Sequence, residues 1–557
     1  MKRRGIRWGI FLIFLLAGCA WGKEQVKTGP VDFTLEPILS CEWVCYIQDG
    51  NLYIRSIGNT PVKIRDRKET TGAILSPALK VMGNSIFVTW IERGQGNNKV
   101  MFKVSKDNGN SFGKTIELTT NTKATQIRLS ADNKKRLYIL ETSYGKDPGI
   151  YINLSLNRAE TFRRVSLEAD DIESLYNLTP VVVDDMLYLF FFGLREGKKH
   201  IGVKSFEIPS MKPTGYDILK EVEGVSFIEA FKTKGRPSVI YKTIREGKFF
   251  LEGFINKGTL WDAFAIKGAE GLDVARMDYY TWEDGRILVV FSAEERGNFK
   301  QRIYAAISED GGRNWNVKRI DSKEFDNTRS WLPRMAVDGD KVVVVWEDSR
   351  DIRSGVRMKL SPDRGRTWME RDIPISNKKN YAFRPRISFT KGSFYIAWHQ
   401  FKDDERKVAD LVMVKLKWDE AVKIASKKEK GISLKKKEAL LRERVRAYWE
   451  GMIKKDLKTT YNIHDPFYRA RIPFDYYASH RGPMVYHNYN IESLKIEGNV
   501  ASVRIKVKYD VPKIIILGKE TSIPPKEITI EDTYLFIDGT WYRKFVDALS
   551  GGSAINY

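Results

Sequence analysis

Short apolar runs alternate with polar residues along most of the chain. The run "KVVVVWED" follows "PRMAV" and precedes "GVRMKLS" and "MERDIPI", giving four strand-like runs with turn residues between them. The same succession recurs in "PALKV", "SIFVTWIER", "VMFKVS" and in "PRISF", "FYIAWHQ", "LVMVKL". Enrichment in Val, Ile, Tyr and Trp marks strands, and the 3.6-residue spacing of a helix is missing. Six complete units begin near residues 72, 123, 176, 225, 272 and 330. A partial unit precedes them ("EWVCYIQ", "NLYIRS", "PVKI") and another follows over 382–418. Four-stranded units at this interval predict the blades of a β-propeller. The two partial units hold too many strands to share one blade. Eight blades are therefore expected, with seven as the alternative count.

Three of the predicted turns share a motif. "SPDRGRTW" carries Ser361, Asp363, Gly365 and Trp368, "SEDGGRNW" carries Ser308, Asp310, Gly312 and Trp315, and "SKDNGNSF" carries Ser105, Asp107 and Gly109. "SLNRAETF" is a weaker copy starting at Ser155, with Asn157 and Ala159 in place of Asp and Gly. These serines fall at one or several intervals of about 51 residues, which places worn copies near Ser205 and near Asn256, Gly258 and Trp261. The pattern S-x-D-x-G-x-T-W resembles the Asp-box, or BNR repeat, of sialidases. Its aspartate can tie a turn by accepting backbone N–H bonds, its glycine supplies positive φ, and its aromatic packs between strands. In the resembled family these turns lie at the blade periphery, away from the reaction centre, so the box residues are assigned a structural role. The box identifies architecture, and architecture does not identify chemistry. Sialidases of that family have six blades and an F/Y-R-I-P motif before the first box. Here the segment before Ser105 reads "AILSPALKVMGN", without arginine, and the one "RIP", Arg471 to Pro473, falls beyond the repeats.

After Trp418 the pattern changes. "KIASKKEKGISLKKK" reads as a basic linker into a helix with Ser433 as its N-cap. Leu441, Val445, Tyr448 and Met452 form one apolar helical face. "NIESLKIEGNVASVRIKVKYDV" and "EITIEDTYLFIDGTWYRKF" predict long antiparallel strands. A first helix, a loop-rich middle and a sheet ending in "FIDGTWYR" resemble the NTF2-like (SnoaL-like) cone fold over about residues 431 to 547. The expected fold class is mainly β, a sialidase-like β-propeller followed by a small α+β cone domain.

The N-terminus adds a location. "MKRRGIRWG" is basic and "IFLIFLLAG" is apolar but short for a membrane span, the pattern of an export signal. It ends in Leu16-Ala17-Gly18-Cys19, which resembles the lipobox of bacterial lipoproteins. The resemblance implies cleavage before Cys19, lipidation there, and, with Ala20 following, sorting to the outer membrane. The expected organisation is a signal peptide over 1–18, a tether over 19–40, the propeller over 41–420, a basic linker over 421–432 and the NTF2-like domain over 433–557. Cys41 and Cys45 are the other cysteines. Residues four apart on a strand sit roughly 13 Å apart, beyond disulfide reach, so a bridge would need a bend, and both states stay open.

The formal net charge of +23 favours acidic neighbours, and the 14 Trp and 25 Tyr among 42% hydrophobic residues exclude a disordered chain. No nucleic-acid motif accompanies the charge, so the expected partners are the membrane through Cys19 and an acidic glycan or envelope protein, with no nucleic acid. First strands of propeller blades face the channel, and Arg128, Arg276, Arg334 and Arg386 occupy comparable points on four of them. Converging arginines suit a carboxylated, sulfated or phosphorylated glycan. Asp348, Arg350 and Asp351 in "WEDSRD", and Glu294, Glu295 and Arg296 in "AEERG", are expected at the channel mouth. A sialidase also needs a tyrosine activated by a glutamate, for which Tyr279, Tyr280 and Glu283 are candidates by proximity alone. In the second domain His464, Asp465, His480 and His487, with Tyr476, Tyr477 and Tyr486, gather three of the five histidines in one short segment. They are candidates for a polar pocket or an acid–base pair, against the plainer reading of hydrogen-bonded loop residues. No metal-ligand spacing is present, and neither metal nor cofactor is expected. The expected role is binding without catalysis. A glycoside hydrolase acting on acidic sugars is the alternative, and a structural envelope assembly factor the second.

Overall fold

The computed structural model describes residues 25–70, 72–143, 149–167, 174–295, 300–427, 431–516 and 519–545. The signal peptide and Cys19 lie outside the described residues, as does Arg296.

Eight four-stranded antiparallel sheets occupy residues 25–416. Seven are built from consecutive strands, spanning 38–65, 74–122, 126–166, 174–221, 225–265, 272–319 and 330–374. The eighth takes three strands from 382–416 and its fourth from the start of the chain, where Gln25–Val31 pairs antiparallel with Ala409–Leu416. The first strands of neighbouring sheets lie side by side from Ile38–Ser40 to Gln126–Ala131 and from Ser174–Val183 to Ala382–Thr390, which returns to neighbour Ile38–Ser40. This is a β-propeller closed by a sheet shared between the two ends of the repeat region. Closure corrects two boundaries. Residues 25–31 and 38–40, expected in a tether, are strands. The expected linker begins inside a helix, Trp418–Ser426, whose Ala421 and Ala425 pack with Ile396 and Val414 of the eighth sheet.

The continuous apolar runs follow from this stacking. In Lys341–Asp348, Val342, Val344 and Trp346 pack on Leu288 and Val290 of the sixth sheet, while Val343 and Val345 pack on Ile396 and Trp398 of the eighth. A strand buried on both faces needs apolar residues at every position, so its alternation disappears.

The three full boxes bridge the third and fourth strands, with Ser105, Ser308 and Ser361 ending the third strand. Of the expected worn copies, Ser205 instead lies inside the strand Lys198–Glu207, while Gly258 lies between the strand ending at Asn256 and the one starting at Trp261. Ser361 Oγ donates to Asp363 Oδ1 at 2.9 Å and accepts the Gly365 N–H at 2.8 Å, while Asp363 accepts the Thr367 N–H at 2.8 Å. The turns at Ser308 and Ser105 repeat these bonds. At the weaker copy Ala159 takes the left-handed conformation, φ 69°, with its N–H donated to Ser155 Oγ at 2.9 Å. Cys41 and Cys45 are both free thiols; Cys41 lies in a turn and Cys45 is buried in the strand Trp43–Gln48.

The C-terminal unit begins with the helix Leu434–Lys454, whose Ser433 Oγ accepts the Lys436 N–H. Its buried Leu441, Val445, Tyr448 and Trp449 pack on Val503, Ile505, Val507 and Tyr534 of a four-stranded sheet made from Val485–Glu497, Val500–Ile516, Lys519–Ile537 and Thr540–Arg543. Three short helices, Leu457–Ile463, Pro466–Arg471 and Phe474–Ser479, fill the middle. The unit rests on loops of the seventh and eighth sheets. Ile352 and Tyr381 pack with Phe467, Val500, Leu535 and Ile537. Arg353 bridges Asp404 at 2.8 Å and Asp538 of the second unit at 2.9 Å.

Candidate functional site: a charged propeller channel

Alternation along a first strand selects what faces the channel. In Leu272–Thr281, Arg276 and Asp278 share a face while Met277 turns into the core. Asp278 Oδ1 accepts the Tyr279 N–H at 3.0 Å and Oδ2 accepts the Met335 N–H at 2.9 Å. Arg334, one residue before Met335, adds its positive charge to the same place. Glu229, on Val225–Thr233, feels Arg128 and Arg334 as well as Asp278. Arg128, Glu229, Asp278 and Arg334 therefore form one charged group drawn from four different sheets.

Burial raises the Glu229 carboxyl above its ordinary value, with Asp278 adding to the rise and Arg128 and Arg334 opposing it. Burial likewise raises Asp278 against the pull of Arg334. Among the described residues, Arg128 and Glu229 have no direct hydrogen-bond or ion-pair partner, and Arg276 donates to the carbonyl of Ala275 alone. These groups are left for water or a ligand. A cavity of about 390 Å³ opens at the end of the channel where the first strands finish, lined by Asp132, Lys134, Asp184, Lys232, Tyr279 and Thr281 among others. Sequence reasoning missed Glu229 and Asp278. The period-two pattern that exposed the arginines would have found Asp278, two residues after Arg276.

Other candidates are held elsewhere. Arg386 is ion-paired with Glu36 and donates to the Pro37 carbonyl at 3.3 Å, because the supposed tether runs beside it. Arg350 and Asp348 are buried and are not a channel mouth. Arg350 holds Asp348 through two bonds of 2.8 and 2.7 Å and Asp372 at 2.6 Å, and Lys359 also pairs with Asp372 at 2.8 Å. Burial would raise the Asp348 carboxyl, but Arg350 and Arg357 hold it well below the ordinary range. Asn499 of the second unit donates to the Arg350 carbonyl at 2.8 Å, so this network is a footing for that unit.

The tyrosine candidates are not set up as nucleophiles. Tyr279 donates its hydroxyl to the Ala230 carbonyl at 2.6 Å, and burial raises its pKa, which keeps the phenol un-ionised. Tyr280 packs edge-on against Trp282.

The histidines of the second unit do not converge. His480 is exposed and stacks on Tyr476 with ring centroids 3.8 Å apart. His487 is exposed on a strand and pairs with Asp510 at 2.7 Å. Asp465 caps the helix Pro466–Arg471, accepting the N–H groups of Tyr468 at 2.9 Å and Phe545 at 3.0 Å. His464 alone is interior, 1% exposed, amid Tyr448, Tyr468, Tyr477 and Phe545, and neither ring nitrogen has a hydrogen-bond partner among the described residues. Burial, reinforced by Arg543, lowers its pKa far below the ordinary histidine value. Tyr486 lies on another side, against Trp449 and Tyr509.

No family model matches the chain, and no curated protein is similar to it in sequence. Solved structures are similar at low identity. The polysaccharide lyase Uly1 is 11% identical, with 61% of this chain and 90% of that one covered, at a TM-score of 0.42. The NanB sialidase of Streptococcus pneumoniae is 12% identical, with 64% and 70% covered, at 0.34. A mutant Trypanosoma rangeli sialidase displaying trans-sialidase activity is 10% identical, with 96% and 90% covered, at 0.35. The propeller itself rests on the sheet order and the ring of first strands described above.

Proposed function

We propose that this is a lipid-anchored envelope protein whose propeller binds an acidic glycan without cleaving it. The observation that carries the reading is the channel group. Arg128, Arg276 and Arg334 supply guanidinium charge on first strands, and none of the three has a side-chain hydrogen-bond or ion-pair partner among the described residues. Guanidinium pairs well with carboxylate and sulfate oxygens, in two parallel hydrogen bonds. Counting each four-stranded sheet as a blade, we read the propeller as eight-bladed, with the three box turns as structural ties. We read the helix-and-sheet unit over 433–545 as NTF2-like and its docked position as a brace for the seventh and eighth sheets. Cys19 would carry the lipid, and the outer membrane is the proposed site.

Tyr279, whose hydroxyl is committed to the Ala230 carbonyl, supports binding without catalysis. One observation favours a second reading. Glu229 and Asp278 both have raised carboxyl pKa values, as a general acid requires. One experiment separates the two. The chain from residue 20 onward is applied to an array of sialylated, uronic-acid and sulfated glycans and, in parallel, to fluorogenic sialosides. Salt-sensitive array binding that Arg128→Ala and Arg276→Ala abolish, without turnover, is the expected result. Turnover lost in Glu229→Gln would replace binding with hydrolysis, and retention of an acidic glycan by both arginine variants would overturn the proposed site.

A further inference from the structure

The propeller carries a second hollow, apart from the channel. It lies where two full box turns adjoin, those following Ser308 and Ser361 in the sixth and seventh sheets. Counting back from each box serine, Ile307 and Ala306 have fourth-strand partners in Asn316 and Val317, whereas Leu360 and Lys359 have none. The fourth strand of the seventh sheet is only Ile373–Pro374, so the sheet is thin at this corner. The space left is about 350 Å³, lined by Ala305, Ile307, Asn316 and Lys318 of the sixth sheet and by Arg366 and Trp368 of the seventh. Asn316 pairs with Ile307 and Lys318 with Ala305, which puts these four side chains on one face. A small-ligand pocket has this size and this mix of apolar wall and few polar groups. The hollow lies toward the face where the first strands finish: the Arg364 N–H, in the Ser361 turn, donates at 2.7 Å to the Asp340 carbonyl, just past the strand Ser330–Asp338.

The uncommitted groups select the occupant. Both carboxylates on the wall are spent: Glu309 accepts two bonds from Arg366, and Asp310 accepts the Ser308 hydroxyl, the N–H groups of Arg313 and Asn314, and the Asn314 amide. Donors remain. Among the described residues Lys318 has no carboxylate partner, the Asn316 side-chain amide is unbonded, and the Trp368 indole N–H has no acceptor. Surplus donors around an unbalanced ammonium call for an acceptor-rich anion. Ala305, Ile307 and the Trp368 ring call for a ligand with an apolar C–H face. A sugar ring bearing a carboxylate has both. A neutral sugar would leave Lys318 unanswered, and a simple aromatic acid brings no hydroxyls for Asn316.

We infer that this hollow binds a carboxylated sugar ring, with Lys318 on the carboxylate, Asn316 on the hydroxyls and Trp368 against the C–H face. The site is separate from the channel, so it is tested in the chain from residue 20 onward carrying Arg128→Ala and Arg276→Ala, where channel binding does not report. Isothermal titration with trigalacturonate gives binding in this background. Lys318→Glu weakens it about tenfold or more, and Asn316→Ala about fivefold. Maltotriose and benzoate each bind about tenfold more weakly or less. Lys318 and Asn316 are exposed, and circular dichroism establishes that their variants are folded. No binding of trigalacturonate, unchanged affinity in Lys318→Glu, or equal affinity for maltotriose or benzoate would each overturn the inference.

Discussion

Asp278 reaches from one first strand to the next and accepts the Met335 N–H at 2.9 Å. Ser40, Ser76 and Thr179 make the same bond to Val81, Ile127 and Ala230, at 3.0, 3.1 and 3.2 Å. One clamp thus recurs around the ring with hydroxyl acceptors, and at Asp278 a carboxylate takes over. A residue facing the channel can be structural and charged at once.

Asp278→Ala leaves the Met335 N–H without its acceptor and should cost about 1–3 kcal/mol. Asp278→Thr restores the hydroxyl form and should recover most of it, as urea unfolding would show. The Asp278 carboxyl is raised in the fold. Its contribution to stability is therefore fully present below about pH 4, the ordinary aspartate value, and is lost as pH rises through the raised one. The threonine variant should lack that loss.

Arg350→Ala would leave Asp348 and Asp372 buried without their shared partner, at a cost of about 3–5 kcal/mol. Asp348 is lowered in the fold. The stability it contributes is present above about pH 4 and is lost as pH falls. The variant should lose this acid-sensitive share. Hydrogen exchange should rise in residues 349–354 and around Asn499, which is bonded to Arg350.

Gly365 sits at φ 90°, and a Cβ there would come 2.9 Å from a Leu288 methyl carbon in the neighbouring sheet. Gly83, at φ 57°, has open space around it. Gly83→Ala should cost about 1 kcal/mol through backbone strain, and Gly365→Ala clearly more, because the clash is added. Thermal unfolding of the two separates conformation from packing. Neither substitution should change the glycan binding proposed for the channel.

His464→Phe removes two unpartnered buried nitrogens and should leave stability unchanged or higher. The histidine is lowered in the fold, so its contribution is present above about pH 6.5 and is lost as pH falls. The parent chain should weaken below that pH more than the variant does, as denaturant melts across the range would record.

The repeat was legible in the sequence because strands and turns are local. Period-two runs, the serine–aspartate–glycine turns and the six unit starts all depend on residues a few positions apart, and the turn bonds at Ser105, Ser308 and Ser361 span four residues. The helix after Ser433 was legible for the same reason. The candidate site was legible in part: the channel face of the first strands named Arg128, Arg276 and Arg334, but said nothing of their partners.

Tertiary structure decided the rest, because those decisions join distant parts of the chain. Ring closure brings residues 25–31 to 409–414, and it gives Arg386 the partner Glu36. Docking of the second unit places Asn499 on Arg350 and converts a supposed channel mouth into a buried footing. A sequence pattern records which face of a strand a side chain occupies. Which opposite charge it meets there depends on how the sheets close around the channel.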